Sequence, residues 1–149
     1  MNSEKFNEYL TNRYSGQIQW YSNSASKNKR WYHVFQWGVI VLSAVVPVLV
    51  AYVPDEYKYL TIIVSILLAI GTAALKTFKF QENWINYRTV SETLKKEKSF
   101  YDAGLDEYGS AEDREALFVE RVESLISREN SLWMVTHKQK IEEEKNKKK

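Results

Sequence analysis

Polar side chains recur along one face of an otherwise apolar stretch of the chain. Five residues recur at steps of four, three, four and four, and three of them carry hydroxyls, one is a leucine and one is a cation; we call them the polar stripe: Thr61, Ser65, Leu68, Thr72 and Lys76. In an α-helix this spacing keeps all five side chains within a narrow arc. Such a stripe could line a water-filled path. Small and hydroxylated residues also let membrane helices pack closely and hydrogen-bond to one another, so pore lining and helix packing both remain open.

Residues for catalysis, or for binding a metal or cofactor, are scarce. The chain has no cysteine and only two histidines, His33 and His137, which are far apart. Neither a glycine-rich phosphate loop, nor zinc-type ligand spacing, nor a nucleophile–base set is present. The sequence therefore predicts a protein that is not an enzyme and has no cofactor or metal site. The net charge of +2 is too small to indicate nucleic-acid binding.

Two long apolar runs position the polar stripe. Residues 31–54 and 59–75 contain no Asp, Glu, Lys or Arg, over 24 and 17 consecutive residues. As α-helices they would be ~36 and ~26 Å long, against a bilayer hydrocarbon core of ~30 Å. A helix of a soluble protein alternates an apolar stripe with a charged face, and these runs have no charged face. The sequence therefore predicts an all-α membrane protein in which residues 35–80 form a two-transmembrane hairpin, with spans at 35–53 and 60–80 and an outer turn at 54–59.

Charges at the ends of the runs predict the orientation. Basic residues flank the hairpin at one end, with Lys27, Lys29 and Arg30 before the first run and Lys76, Lys79 and Arg88 after the second. The turn contains Lys58 beside Asp55 and Glu56. Basic residues mark the cytosolic side of a membrane protein. We therefore expect a multi-pass protein of the cell inner membrane with both termini in the cytosol.

The segment before the first span, residues 1–34, is predicted to be a cytosolic helix that continues into the span. Steps of four and three place one set of residues on a single face: Phe6, Leu10, Arg13, Gln17, Trp20, Ser24, Lys27 and Trp31. Gly16 and the segment Ser22–Ser26 weaken this helix and mark where it would break. Within the first span, Pro47 removes one backbone hydrogen bond and predicts a kink, either for packing or as a gating hinge.

After the second span, no helix-stop signal occurs before Gly104. This predicts one continuous helix from about residue 60 to 101, with a turn at Gly104–Gly109. Arg88 and Glu92 are four residues apart on that helix, and we expect them to form an ion pair worth only a few tenths of a kcal/mol.

The last predicted helix runs from residue 111 to about 138. Ser110 and Asp113 resemble a capping box at its start. Its apolar face comprises Phe118, Val122, Leu125, Leu132 and Val135. Residues 81–138 would then form a cytosolic helical hairpin, in which Trp133 lies near the level of Lys79. The charged tail, residues 139–149, is predicted to be disordered.

Aromatic and charged residues follow the second span in a recognisable pattern. Residues 78–88 read Phe-Lys-Phe-Gln-Glu-Asn-Trp-Ile-Asn-Tyr-Arg and are followed by Glu92, Leu94, Glu97 and Tyr101. A later stretch contains Phe118, Arg121, Val122, Glu123, Glu129 and Trp133. With the helix–hairpin–helix layout, this pattern resembles the SLATT family over roughly residues 15–135. These are bacterial two-transmembrane proteins named for their association with SMODS nucleotidyltransferases and SLOG nucleotide sensors.

The resemblance implies a membrane effector in bacterial antiphage or nucleotide-signalled defence. Such an effector forms a pore or permeabilises the inner membrane, and because two helices cannot enclose an aqueous path, we expect a homo-oligomer. The sensor would be a separate nucleotide-sensing or nucleotidyltransferase protein, since no sensor domain is evident in this sequence. The resemblance also implies that eight motif residues make contacts between helices or with a partner: Trp84, Tyr87, Arg88, Glu92, Glu97, Tyr101, Glu123 and Trp133.

Two other functions compete with a regulated pore. One is a non-conducting membrane scaffold whose cytosolic helices recruit a partner. The other is a small constitutive ion channel.

Overall fold

The computed structural model of the chain describes residues 3–128, and these are almost entirely helical. The elements in order are α1 (Ser3–Glu8), a π-helical turn (Tyr9–Tyr14), α2 (Ser15–Tyr52), a 3-10 turn (Asp55–Tyr57), α3 (Lys58–Phe78), α4 (Phe80–Ala103), a second 3-10 turn (Asp106–Gly109) and α5 (114–128). No strand occurs within residues 3–128, so the all-helical prediction is confirmed for this part of the chain. The expectations for Glu129, Leu132, Trp133, Val135 and the tail 139–149 lie outside the described residues.

The described chain divides into two compact units. Residues 23–87 form the first, which we call the hairpin unit, and residues 3–22 with 88–128 form the second, the bundle unit. Helices α2 and α4 each contribute residues to both units.

The hairpin unit pairs α2 with α3 along one face of each helix. Half-buried residues recur on α3 at Thr61, Val64, Leu68, Gly71, Ala74 and Leu75, and on α2 at Phe35, Val39, Leu42, Val46 and Leu49. The two helices are in close contact at Gly71, where a Cβ atom would lie 3.1 Å from Cγ2 of Val39. Valine is stiff about its first side-chain torsion, so only glycine fits here without displacing a neighbour.

The other faces of the two helices point outward and are strongly apolar. Their exposed large side chains are Val34, Trp37, Ile40, Val41, Val45, Val48, Val50, Leu60, Ile62, Ile63, Ile66, Leu67 and Ile70. Both helices are long and apolar enough to cross a membrane, and none of the most apolar stretch of either is buried. A core helix of a soluble protein with this composition would instead be covered by other elements. Helix α2 continues through Pro47, and the expected kink there stays a prediction.

The prediction of one continuous helix from residue 60 to 101 is wrong, because the chain breaks at Lys79. Lys79 has φ 49° and ψ 37°, the left-handed conformation, which costs a residue other than glycine about 1–2 kcal/mol. Two contacts hold the break: Lys79 Nζ lies 2.6 Å from Glu82 Oε2, and Asn83 Nδ2 donates to the Phe78 carbonyl at 3.2 Å. Neither glycine nor proline marks this position, so the pattern of apolar residues could not reveal it.

Phe118 of α5 is the centre of the bundle unit. Its side chain is completely buried, and its ring centroid lies 5.1 Å from that of Tyr101, 5.3 Å from Tyr14 and 5.8 Å from Phe6. These partners come from α4, the π-helical turn and α1. One phenylalanine of α5 therefore joins α1, the π-helical turn and α4.

The π-helical turn decides which N-terminal residues face this core. Of the residues assigned to one face, Phe6 is buried and Trp20 is 54% exposed; the other buried residues of the N-terminal segment are Tyr14, Tyr21 and Ala25. In a regular α-helix, the eight-residue step from Phe6 to Tyr14 would overshoot two full turns by about 80°. A π-helical turn takes more residues per turn, which brings both rings onto Phe118. The helix is unbroken at Gly16 and at Ser22–Ser26, since α2 spans both.

The connection between α4 and α5 is partly as predicted. Gly104 ends α4 with φ +64°; its N–H donates to the Tyr101 carbonyl at 3.2 Å and that of Leu105 to the Phe100 carbonyl at 3.0 Å. This is the Schellman arrangement, which favours glycine because its left-handed position penalises a Cβ atom. The capping prediction was wrong, because Oδ1 of Asp113 accepts from the Ala116 N–H at 2.9 Å. Asp113 therefore caps α5, which starts at residue 114.

Replacing Phe118 by alanine should destabilise the bundle unit by about 3–5 kcal/mol, because it leaves a cavity among three aromatic rings. The measurement is thermal unfolding of the purified chain in detergent, followed by circular dichroism. Leu105→Ala is the control, since Leu105 is 54% exposed and its loss should change stability by less than ~0.5 kcal/mol. Equal shifts in the two variants would contradict a core centred on Phe118.

Candidate functional site

The polar stripe lies beside the contact between α2 and α3. Thr61 and Leu68 are half-buried at the edge of that contact, whereas Ser65, Thr72 and Lys76 are exposed. The stripe therefore borders the helix pair and leaves most of its polar groups on the outward surface.

The hydroxyls of the stripe are satisfied within their own helix. Ser65 Oγ donates to the Thr61 carbonyl and Thr72 Oγ1 to the Leu68 carbonyl, both at 2.8 Å. Ser43 on α2 makes the same kind of bond to the Ile40 carbonyl at 2.8 Å. Each hydroxyl proton therefore has a hydrogen-bond acceptor within its own helix and needs neither water nor a second helix. Each hydroxyl oxygen can still accept a further hydrogen bond. The geometry is thus compatible with both pore lining and helix packing.

Lys76 is the one cation of the polar stripe, and it is exposed. Among residues 3–128, no carboxylate lies within ion-pair distance of its ammonium group. Two contacts fix its level along the hairpin: Gly71 lies beside Val39, and the Phe80 ring stacks on Phe35 at 5.6 Å. Lys76 lies between Gly71 and Phe80 in sequence and is therefore level with residues 34–39 of α2. That is ~6–13 Å beyond Arg30 along the helix axis, beside the uncharged run.

Trp84 packs against α2 within the hairpin unit. The Lys29 ammonium lies 5.4 Å from the Trp84 ring centroid, in cation–π geometry. The His33 and Tyr32 rings lie 6.1 and 6.5 Å from it. Trp84 therefore holds the start of α4 against the part of α2 in which the first apolar run begins.

Three further motif residues, Tyr87, Arg88 and Glu92, follow Trp84 along α4. Tyr87 is half-buried, and Arg88 and Glu92 are exposed. The expected pair of Arg88 with Glu92 is wrong for the described chain, because Glu92 instead pairs with Lys95 at 3.2 Å. The Arg88 side chain thus remains on the surface of the described part of the molecule.

Glu97 ties α4 to α5 in the bundle unit. Its Oε1 accepts from the Tyr108 hydroxyl at 2.5 Å and from Arg121 Nη1 at 3.1 Å. Arg121 also reaches Asp106 at 3.2 Å and Glu107 at 3.1 Å. Burial, and then the hydrogen bond to Glu97, raises the pKa of Tyr108. For Arg121, burial acts against the charge, but the hydrogen bonds to Asp106 and Glu97 raise its pKa overall.

Glu123 ties α5 to the π-helical turn with the same set of partners, one tyrosine and one arginine. The Tyr9 hydroxyl donates to it at 3.0 Å, and Arg13 donates from Nε and Nη2, each at 3.1 Å. Arg13 lowers the pKa of Glu123, while burial and Glu123 raise that of Tyr9. Because the Arg13 and Glu123 side chains are 47% and 39% exposed, this pair contributes only about 0–1 kcal/mol.

Sequence reasoning missed three tyrosines of these contacts: Tyr9, Tyr14 and Tyr108. The Tyr14 hydroxyl donates to the Leu94 carbonyl at 2.8 Å in the buried core. Tyr9 and Tyr14 are five residues apart, a spacing that points to one face only when a π-helical turn lies between them. The sequence carries no separate signal for that turn. Within residues 3–128, no group of three or more His, Asp or Glu side chains is arranged to hold a metal ion.

Comparison of the sequence with known families gives one match. The family described as "Protein of unknown function (DUF4231)" matches residues 16–116. The chain belongs to this family. The match to DUF4231 includes both apolar helices, the polar stripe and α4. No curated protein and no solved structure matches the chain.

The stability of this DUF4231 chain should depend on the ionisation of Tyr14. Burial, with smaller effects of Asp102 and Glu97, raises the pKa of Tyr14 from 10.0 to about 12. The folded state therefore holds the phenol proton more tightly than the unfolded state, so this contribution is complete below pH 10 and is lost as the pH rises towards about 12. Tyr14→Phe should be about 1 kcal/mol less stable than the wild type at neutral pH, through loss of one hydrogen bond.

The variant should then lose less stability than the wild type as the pH rises from 10 to 12. Denaturant unfolding at several pH values measures both effects. Tyr57→Phe, at an exposed turn, is the control and should follow the wild type throughout. Parallel pH curves for wild type and Tyr14→Phe would contradict the assigned role of Tyr14.

Proposed function

We propose that this DUF4231 protein is a membrane effector that assembles into a homo-oligomer and forms a pore in the bacterial inner membrane. The observation that carries the proposal is the outward apolar surface of α2 and α3, because none of the most apolar stretch of either helix is buried. A polar stripe that ends in the exposed Lys76 borders this surface. An apolar surface of this kind requires lipid or further copies of the chain to cover it. The flanking basic residues support an orientation with both termini in the cytosol.

The packing of the two helices supports an oligomer rather than a path through one chain. At Gly71 a Cβ atom would lie only 3.1 Å from Cγ2 of Val39, so the two helices are in direct contact there. Water cannot pass between helices in such contact, so an aqueous path requires several copies around a common axis. The polar stripe, beside the contact and exposed at Ser65 and Thr72, is the surface that would face that axis.

Lys76 favours a wet environment for this face. Charged side chains within membrane-spanning segments usually face a bundle interior or a water-filled cavity, and they pair with other groups. Lys76 is level with the start of the first apolar run and has no carboxylate within ion-pair distance in the described chain. A water-filled mouth would solvate it, whereas lipid alone would force its long side chain to reach back to the interface.

The biological setting is proposed from the resemblance to the SLATT family. It implies bacterial antiphage or nucleotide-signalled defence, with a separate nucleotide-sensing or nucleotidyltransferase protein as the trigger. The contacts of Glu97, Tyr101 and Glu123 favour a role for these motif residues in tying helices together, since each is engaged within the bundle unit. Arg88 remains exposed on α4 and is the better candidate for contact with such a partner.

The pore predicts ion flux through vesicles that contain the purified chain. Thr72→Leu places a bulky apolar side chain on the stripe and should lower the flux by roughly tenfold or more, because apolar constrictions favour dewetting. Ile70→Leu is the matched control: it lies two residues earlier, nearly opposite on the helix, and should leave the flux unchanged.

A non-conducting scaffold makes the opposite prediction. Vesicles containing a correctly assembled oligomer would stay sealed, and Thr72→Leu would be harmless in cells while Trp84→Ala or Arg88→Ala abolished function. Sealed vesicles would therefore reject the pore.

A further inference from the structure

Charge is distributed very unevenly between the two ends of the hairpin unit. One end of the unit, residues 23–38 and 76–87, contains the start of the first apolar run and the residues that follow the second. It carries five cations, Lys27, Lys29, Arg30, Lys76 and Lys79, and a single acid, Glu82. Five cations and one anion give a net charge of +4 there. At the turn, Asp55 and Glu56 stand against Lys58, a net charge of −1. The basic end is also the end at which the polar stripe terminates.

The one acid at the basic end does not neutralise Lys76. Glu82 lies 2.6 Å from the Lys79 ammonium, on the other side of the break that follows α3. Among residues 3–128, Lys27, Arg30 and Lys76 have no carboxylate within ion-pair distance. Lys29 lies over the Trp84 ring, and within the same residues no carboxylate lies within ion-pair distance of it. Any aqueous mouth at this end is therefore lined and surrounded by excess positive charge.

Lys76 differs from the other cations in its depth. The contacts at Gly71 and Phe80 place it level with residues 34–39 of α2, beyond Arg30 and alongside the uncharged run. It is also the only charged residue on the stripe that contains the exposed Ser65 and Thr72. In a symmetric oligomer with this stripe facing the axis, Lys76 of every copy lies at the same level and forms a ring of cations.

We propose that the pore is selective for small inorganic anions and that Lys76 determines this selectivity. The inference rests on the proposed pore and adds the class of ion that passes through it. A ring of cations in a narrow path lowers the energy of an anion and raises that of a cation, because low-dielectric walls focus the field along the path. The remaining basic residues at the same end raise the local anion concentration, and the hydroxyls of Ser65 and Thr72 offer no negative charge to oppose them.

The test is the reversal potential of the reconstituted full-length chain in a planar bilayer under a potassium chloride gradient. The wild type should reverse close to the chloride equilibrium potential. Lys76→Gln should lower the ratio of chloride to potassium permeability by roughly fivefold or more, the factor expected for one unit charge ~4 Å from the ion in water. Lys76→Glu should reverse the preference, and Lys76→Arg should retain it.

The matched control is Lys58→Gln. Lys58 lies in the oppositely charged turn region, paired with Asp55 at 2.6 Å, and its loss should leave the reversal potential unchanged. Elution volume and circular dichroism of each variant establish that it still assembles and folds.

The outcomes separate this inference from the proposed pore. A wild type that conducts but reverses at zero or near the potassium potential would overturn the anion preference and leave the pore standing. Lys76→Gln with the wild-type reversal potential would show that Lys76 faces lipid headgroups and would also overturn the assignment. A bilayer that stays sealed with assembled protein would reject the pore and the selectivity together.

Discussion

The outward apolar surface of the hairpin unit is the constraint on which the rest of the structure depends. Each large aliphatic side chain left in water forgoes about 1.5–3 kcal/mol that burial would provide, and α2 and α3 expose many of them. The contact between the two helices uses only one face of each, so it cannot cover the apolar side chains on the other faces. A bilayer satisfies the constraint without further protein, because helices satisfy their own backbone hydrogen bonds in hydrocarbon. Polar side chains of the hairpin unit must then lie at the ends of the helices, lie on the polar stripe, or form hydrogen bonds with the backbone of their own helix.

The bundle unit is held together differently, because its helices have little apolar surface. Phe118 gathers the aromatic rings of the other segments, and two glutamates then set the alignment of α5. Glu97 and Glu123 each accept from one tyrosine and one arginine. Partly exposed ion pairs contribute little free energy, but two such pairs at different points on α5 favour one register of the helix over its neighbours. The motif residues therefore have a structural role whether or not they also meet a partner.

Much of this architecture could be predicted from the sequence. The uncharged runs revealed the two long helices, and Gly104 revealed the turn that ends α4. The breaks at other places were not visible, because they do not depend on glycine or proline. The π-helical turn brings both Phe6 and Tyr14 onto Phe118. The left-handed Lys79 interrupts a run whose helical periodicity continues across it. Both arise from contacts with residues distant in sequence or from local side-chain caps, so periodicity alone could not locate them. The cap of α5 was misplaced by three residues because Ser110 and Asp113 are both good capping residues.

The central proposal is that α2 and α3 cross a membrane as a hairpin, with the turn outside and the remaining helices in the cytosol. The absence of cysteine from the sequence allows a direct measurement with single-cysteine variants and a maleimide that cannot cross membranes. Two exposed acids provide matched positions, Glu56 in the turn and Glu92 on α4. In cells whose outer membrane is removed and whose inner membrane is intact, Glu56→Cys should react at once. Glu92→Cys should react only after the inner membrane is opened. Equal labelling of both variants, or recovery of the chain in the soluble fraction after gentle lysis, would contradict the account.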